Sequence, residues 1–438
     1  MAVPHTVRNP GQLRQLSDDV AARKISPVEL VERALQRITE VDPEVRAWRL
    51  VDAEGALAQA REREREADSG LNRGPLHGIP VGIKDIIDVE GLPTRCNSRS
   101  REMAAAATLD AEIVLQLRTR GAIVVGKTHT TEFAFFDPSP ACNPYNTKHT
   151  PGGSSSGSAA AVASGAVPLT VGTQTVASVN RPAAYCGISA FKPSTRSMVM
   201  SGVAPLGPSY DTAGFYGWTV DDAVFAYEAV VPEFAVAART AAPAKLSIWI
   251  PEDDHLSSIS ADAAAGLRRV ADACADAGHG VERRRSPISF ARLFEIQRST
   301  MLFEAGRAMK TFLDLPPGQI GEKLLGAIRD GLQIPLTRYL DERSEIDAMR
   351  RAFFGATGEA DVFLWPAAPA TAPEGLGWTG DPKYISPWTA LGGPIVSVPA
   401  GLAGNGLPVG CILAGAPGED RLMCQIARRV AAAAERHA

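Results

Sequence analysis

Between Gly157 and Ala166 every residue except Val162 is Ala, Ser or Gly. A helix of this composition has no bulk, so its neighbours can approach it almost to backbone distance. Such a segment suits the buried centre of a large protein, where close packing is rewarded. The chain is long enough to build that centre, since 438 residues bury a substantial core. No apolar run reaches the roughly 18 residues of a membrane span.

The flanking sequence supplies elements to surround this helix. Ser26-Pro27-Val28-Glu29 combines an N-cap Ser, Pro at N1 and Glu at N3. Leu30, Val31, Ala34, Leu35 and Ile38 then recur at helical spacing, and Asp42-Pro43 predicts the end of that helix. A second helix is expected over Ala56–Ala67, so the first 70 residues read as helical. From Gly74 the texture changes to Gly/Pro punctuation with short apolar runs. Ile79–Ile83 and Ala122–Val125 read as buried strands, with a helix over Ala111–Arg120 that ends before Gly121. Strand–helix–strand order predicts an α/β sheet with crossover helices. Lys245–Ile250, Asp361–Trp365 and Ile395–Val398 add strands; Ala261–Ala277 and Arg421–Ala434 add helices. Residues 285–355 are helix-rich and poor in motifs, and are expected to form a helical cap subdomain over the sheet. No internal repeat and no Pro/Ser-rich linker divides the chain. The expectation is one domain over 1–438, of α/β class, with a large central, mostly parallel or mixed β-sheet flanked by helices.

Composition excludes several functions. With 45% hydrophobic and 21% charged residues, the chain is an ordinary soluble globular protein. A net charge of −4 gives no electrostatic case for nucleic acid. The alternating signs from Arg61 to Glu66 describe a solvated helix face. Cys96, Cys142, Cys186, Cys274, Cys411 and Cys424 are scattered without a C-x-x-C, which argues against zinc, a redox pair or a disulfide scaffold. The opening Met1–His5 is too polar for a signal peptide. A cytoplasmic protein with no membrane partner is expected.

Three residues carry the chemistry. Ser154 stands in Pro151-Gly152-Gly153-Ser154-Ser155-Ser156-Gly157-Ser158, Ser178 in Gly172-Thr173-Gln174-Thr175-Val176-Ala177-Ser178-Val179-Asn180-Arg181-Pro182, and Lys84 after the apolar Ile79–Ile83. A serine hydroxyl needs a base to become a nucleophile. None of the seven histidines lies in a nucleophile-elbow context, and G-x-S-x-G is absent. A lysine is protonated at neutral pH in water, with a pKa near ~10.4. Burial disfavours its charged form and makes it a base. Each residue also has a plainer reading: Lys84 in a salt bridge with Asp85, Ser154 in a Gly/Ser loop or capping the Ala-rich helix, Ser178 capping a turn.

Taken in order with their surroundings, these segments resemble the amidase signature family, serine hydrolases that cleave C–N bonds. The resemblance rests also on Gly78-Ile79-Pro80, Gly126-Lys127-Thr128, Pro182-Ala183-Ala184-Tyr185-Cys186-Gly187, Phe191-Lys192-Pro193-Ser194, Tyr210-Asp211-Thr212-Ala213-Gly214 and Gly406-Leu407-Pro408-Val409-Gly410. It runs from about Ser26 to Arg429 and is weak over 231–350. It implies a Ser–Ser–Lys unit: Ser178 as nucleophile, Ser154 as a bridging serine that precedes a cis peptide bond, and Lys84 as base. It implies an oxyanion hole from the backbone amides of Thr175, Val176, Ala177 and Ser178, and neither metal nor cofactor. The family usually has glycines at 176 and 177. Val and Ala keep the N–H groups, but their side chains are expected to conflict with glycine-only backbone angles or to intrude on substrate. Ser156 for a common glycine and Gln174 for a common aspartate read as subfamily variation.

Specificity is pulled two ways. Arg181 follows Ser178 in S-x-x-R-P, which is similar to the malonamidase-like branch, where this Arg binds a substrate carboxylate; a guanidinium suits that role. A structural Arg on a buried acid or on carbonyls is the other reading, and most of the family carries Arg at 180, where this chain has Asn. Phe135 and Phe136 belong to a loop that the resemblance places at the active-site mouth, where they favour an aryl or alkyl group; core packing is their plainer role. On balance the sequence points to a hydrolase of small neutral amides, anilides or carbamates. Its alternatives are a malonamidase-like hydrolase of carboxylate-bearing amides, a glutaminase-type component of an amidotransferase, and an inactive scaffold. The partner implied is a small-molecule amide or carbamate; a homodimer is compatible with the sequence.

Overall fold

The computed structural model describes residues 3–231 and 241–437. Of the opening Met1–His5, Met1 and Ala2 therefore lie outside the described residues. Eleven strands form one sheet among them. In chain order they are β1 (Trp48–Val51), β2 (Pro80–Lys84), β3 (Ile123–Thr128), β4 (Leu169–Gln174), β5 (Ser189–Lys192), β6 (Thr212–Gly217), β7 (Ser247–Glu252), β8 (Gly280–Arg285), β9 (Val362–Pro366), β10 (Ile395–Leu402) and β11 (Pro408–Ala414). Across the sheet the order is β1-β3-β2-β4-β6-β5-β10-β11-β9-β7-β8. Two blocks, β3-β2-β4 and β9-β7-β8, are parallel. The strands between them, and β1 at one edge, pair antiparallel. The sheet is thus mixed, with helices packed on it, and the α/β class follows.

The small-residue helix lies where its composition demands. Ser156–Ala163 is buried at every position and packs against β2, β3, β4 and β6. Gly157 shows why bulk is excluded. A Cβ there would stand 2.1 Å from the carbonyl oxygen of Ala47 and 2.4 Å from the amide nitrogen of His129. Both are backbone atoms, so neither side can yield cheaply. Gly157→Ala is expected to lower stability by about 1–3 kcal/mol through overpacking. A thermal melt checks this; an unchanged Tm would show that the contact relaxes.

Helix Pro27–Val45 begins as read, with Ser26 Oγ accepting from the Glu29 amide. It does not stop at Pro43. Two more residues continue it to a left-handed Arg46, whose amide donates to the carbonyl of Asp42. Buried Val41 and Val45 hold this last turn on the core, and Asp42 Oδ1 accepts from the amides of Ala47 and Trp48. Tertiary contacts here outweigh the missing proline N–H. The first 70 residues are not wholly helical either, since Trp48–Val51 pairs with β3 as an edge strand. Charged β8 forms the opposite edge, where Glu282 and Arg283–Arg285 blunt further pairing. Helices Phe290–Ala308, Glu322–Gln333 and Leu336–Ala356 fill most of 285–355. All six cysteines are buried and unpaired. Among the described residues no helix is long and apolar enough to cross a membrane.

Candidate active site

Parallel pairing of β2, β3 and β4 brings their C-terminal ends together, the usual location for chemistry in such sheets. Lys84 is the last residue of β2 and is fully buried. Its Nζ lies 2.7 Å from Ser154 Oγ and 2.8 Å from Thr173 Oγ1 on β4. Burial pushes the ammonium pKa down to about 7, against smaller opposing contributions from Asp211 and Cys96. Lys84 does not pair with Asp85. That carboxylate, just past the end of β2, is taken by Lys127 of β3 at 2.9 Å.

Ser154 sits between the Gly152-Gly153 turn and the small-residue helix. A cis peptide joins Gly153 to Ser154, on the near side of Ser154 rather than after it. Ser178, on the turn after β4, lines the same narrow cleft as Ser154. The carbonyl of Ser178 accepts from Tyr216 Oη at 3.0 Å. Gln174 secures the turn that follows: its Oε1 accepts from the amides of Val179 and Asn180, and its Nε2 donates to Thr389 Oγ1.

The backbone before Ser178 is held from both sides. Thr175 Oγ1 donates to Asp211 Oδ1 at 2.5 Å, and the Thr175 carbonyl accepts from Gln297 Nε2 at 3.1 Å. The Val176 carbonyl accepts from Thr389 Oγ1 at 2.7 Å. With the carbonyls engaged, the N–H groups of Val176, Ala177 and Ser178 find no intramolecular acceptor among the described residues. Such a run of unspent donors suits a developing negative charge. Val176 and Ala177 do not occupy the left-handed region, so the expected conflict with glycine-only angles does not arise. Their side chains line the cleft instead.

The cleft is small, about 20 Å³, little more than the ~10–15 Å³ that one water requires. Ala134, Phe135, Phe136, Val176, Leu206, Met301 and Pro382 make it largely apolar. Phe135 and Phe136 pack edge-to-face, with centroids 4.8 Å apart. Among the described residues no histidine lines it. Arg181 also reaches the cleft but is 2% exposed and donates inward. Its Nη1 bonds the Gly380 carbonyl at 2.7 Å; its Nη2 bonds the Gly153 carbonyl at 2.7 Å and Thr379 Oγ1 at 3.1 Å. Asn180 turns away, donating to Ser397 Oγ and the Ile395 carbonyl.

Sequence reasoning missed Thr173, Leu206, Asp211, Gln297, Met301 and Thr379. Thr173 and Asp211 stood inside quoted motifs without a role. Gln297, Met301 and Thr379 carried no local signal, since they reach the site only through folding.

The fold and this arrangement define a class. A family model described as Amidase matches residues 29–424, and the chain belongs to that family, the amidase signature hydrolases that act on C–N bonds. Similar proteins include a component of the glutamyl-tRNA(Gln) amidotransferase of Anaeromyxobacter sp. (strain K), 32% identical, covering 95% of this chain and 94% of the relative. A crystal structure of an amidase superposes with a TM-score of 0.87 at 27% identity, over 95% of this chain and 98% of that one. Peptide amidase from Stenotrophomonas maltophilia gives 0.79 at 26%, over 97% and 96%.

Proposed function

We propose that the protein hydrolyses small neutral amides, anilides or carbamates through an acyl-enzyme on Ser178, with Ser154 and Lys84 relaying the proton. One observation carries the reading: a buried, readily neutral amine lies 2.7 Å from Ser154 Oγ, in a cleft shared with Ser178 and unspent N–H donors.

Neutral Lys84 takes the Ser154 proton while Ser154 takes that of Ser178. The freed Ser178 Oγ bonds the carbonyl carbon, and the oxyanion meets the N–H groups of Val176, Ala177 and Ser178. The Lys84 ammonium then returns a proton through Ser154 to the leaving nitrogen, and the C–N bond breaks. Water repeats the sequence on the ester, releasing acid and restoring Ser178. The chemistry uses only groups of the chain. The apolar lining favours an uncharged substrate, and Met301 is the lining side chain best able to adjust as one enters.

The amidotransferase components among the relatives support a second reading, in which glutamine is the amide donor. Release of product from 4-nitroacetanilide, N-(4-nitrophenyl)succinamic acid and glutamine separates the readings. The highest kcat/KM is expected for 4-nitroacetanilide. Preference for the succinamic acid would favour carboxylate-bearing substrates, and preference for glutamine the amidotransferase role.

A further inference from the structure

We infer that Arg181 is a positioning residue, which holds the bridging serine and the cleft wall in register with the nucleophile, and not an anchor for a substrate carboxylate. Bidentate recognition of a carboxylate draws on paired guanidinium N–H groups. Both terminal nitrogens already donate, to the carbonyls of Gly153 and Gly380 and to Thr379. Only Nε lacks a partner among the described residues. None of their carboxylates forms an ion pair with this guanidinium; Asp381 acts on it at longer range, and three oxygens accept its N–H groups. Their identity gives the role. Gly153 precedes Ser154, whose hydroxyl contacts Lys84; Thr379 lines the cleft, and Arg181 itself lies three residues after Ser178. One buried side chain thus ties three segments that must agree to within fractions of an ångström for a two-step proton relay.

The inference rests on the serine–lysine reading, so the experiment tests both separately. Wild type, Arg181→Lys, Arg181→Gln and Thr379→Val are compared on 4-nitroacetanilide and N-(4-nitrophenyl)succinamic acid. In parallel, the pH dependence of Ser178 labelling by a fluorophosphonate is followed. Lysine keeps the charge but offers one nitrogen, so it cannot span three acceptors. Arg181→Lys and Arg181→Gln are both expected to lose about 100-fold in kcat on both substrates with KM little changed, as misplacement of reacting groups does. The substrate preference should stay that of wild type. The labelling midpoint should move above that of wild type, because loosening around Ser154 hydrates Lys84. Thr379→Val, which removes one bond of the cluster, should show the same pattern more weakly and serves if the Arg181 variants fold poorly. A loss confined to the succinamic acid and expressed in KM, or a lowered melting temperature with an unmoved pH midpoint, would overturn the positioning role. Wild type that is not labelled at Ser178 would overturn the underlying reading and the inference with it.

Discussion

Ser178→Ala is expected to lower kcat on 4-nitroacetanilide by about 10⁶-fold, the scale seen when a hydrolase loses its nucleophile. The fold should survive. The Ser178 carbonyl, which anchors the turn to Tyr216 and Ser155, is untouched by the change. Loss of one small hydroxyl leaves no sizeable cavity. The variant should also stop reacting with a fluorophosphonate while melting like wild type. Retained turnover at close to the native rate would remove Ser178 from the reaction, whatever the status of its neighbours.

Lys84→Ala should cost about 10²–10⁴-fold, the range of a general base, and should erase one limb of the pH profile. The sign follows from burial. Burial lowers the Lys84 pKa to about 7, and in the proposed relay only the neutral amine can accept the Ser154 proton. In wild type kcat/KM is therefore expected to rise as pH increases through about 7 and to fall away on the acid side. The alanine variant should lack that rise. Lys84→Met fills the same buried space without the amine and separates lost base from lost packing. Both variants should behave alike; a profile that keeps its acid limb in either would assign the limb to another group.

Much of the candidate site was legible because the proposed chemistry needs particular side chains in a particular order. A serine after two glycines, a second serine in Gln174-Thr175-Val176-Ala177-Ser178 and a lysine after an apolar run are visible without coordinates. The helices were legible where spacing and caps agreed, as at Ser26 and over Ala261–Asp276. Misreadings came where distant contacts outweighed local preference. Pro43 is carried through its helix by buried Val41 and Val45, and Trp48–Val51 becomes a strand because β3 offers a partner. Leu169–Gln174 has only Leu169 and Val171 as large apolar residues, a weak strand signal made firm by β2 and β6 on its two sides.

Local sequence supplies the candidates Lys84, Ser154 and Ser178, the backbone segment proposed to meet the oxyanion, and the glycine that lets the small-residue helix sink against β2 to β4. These depend on residue type and short spacing alone. Tertiary structure decided what those residues are free to do. The proposed base Lys84 has a lowered pKa because the fold removes it from water, and Lys127 rather than Lys84 satisfies Asp85. Thr175 is fixed by Asp211 and Gln297, and Arg181 is occupied by Gly153, Thr379 and Gly380. Each of these partners is set by folding distant segments together. Solvation and hydrogen-bond occupancy depend on that three-dimensional neighbourhood, which local sequence does not specify.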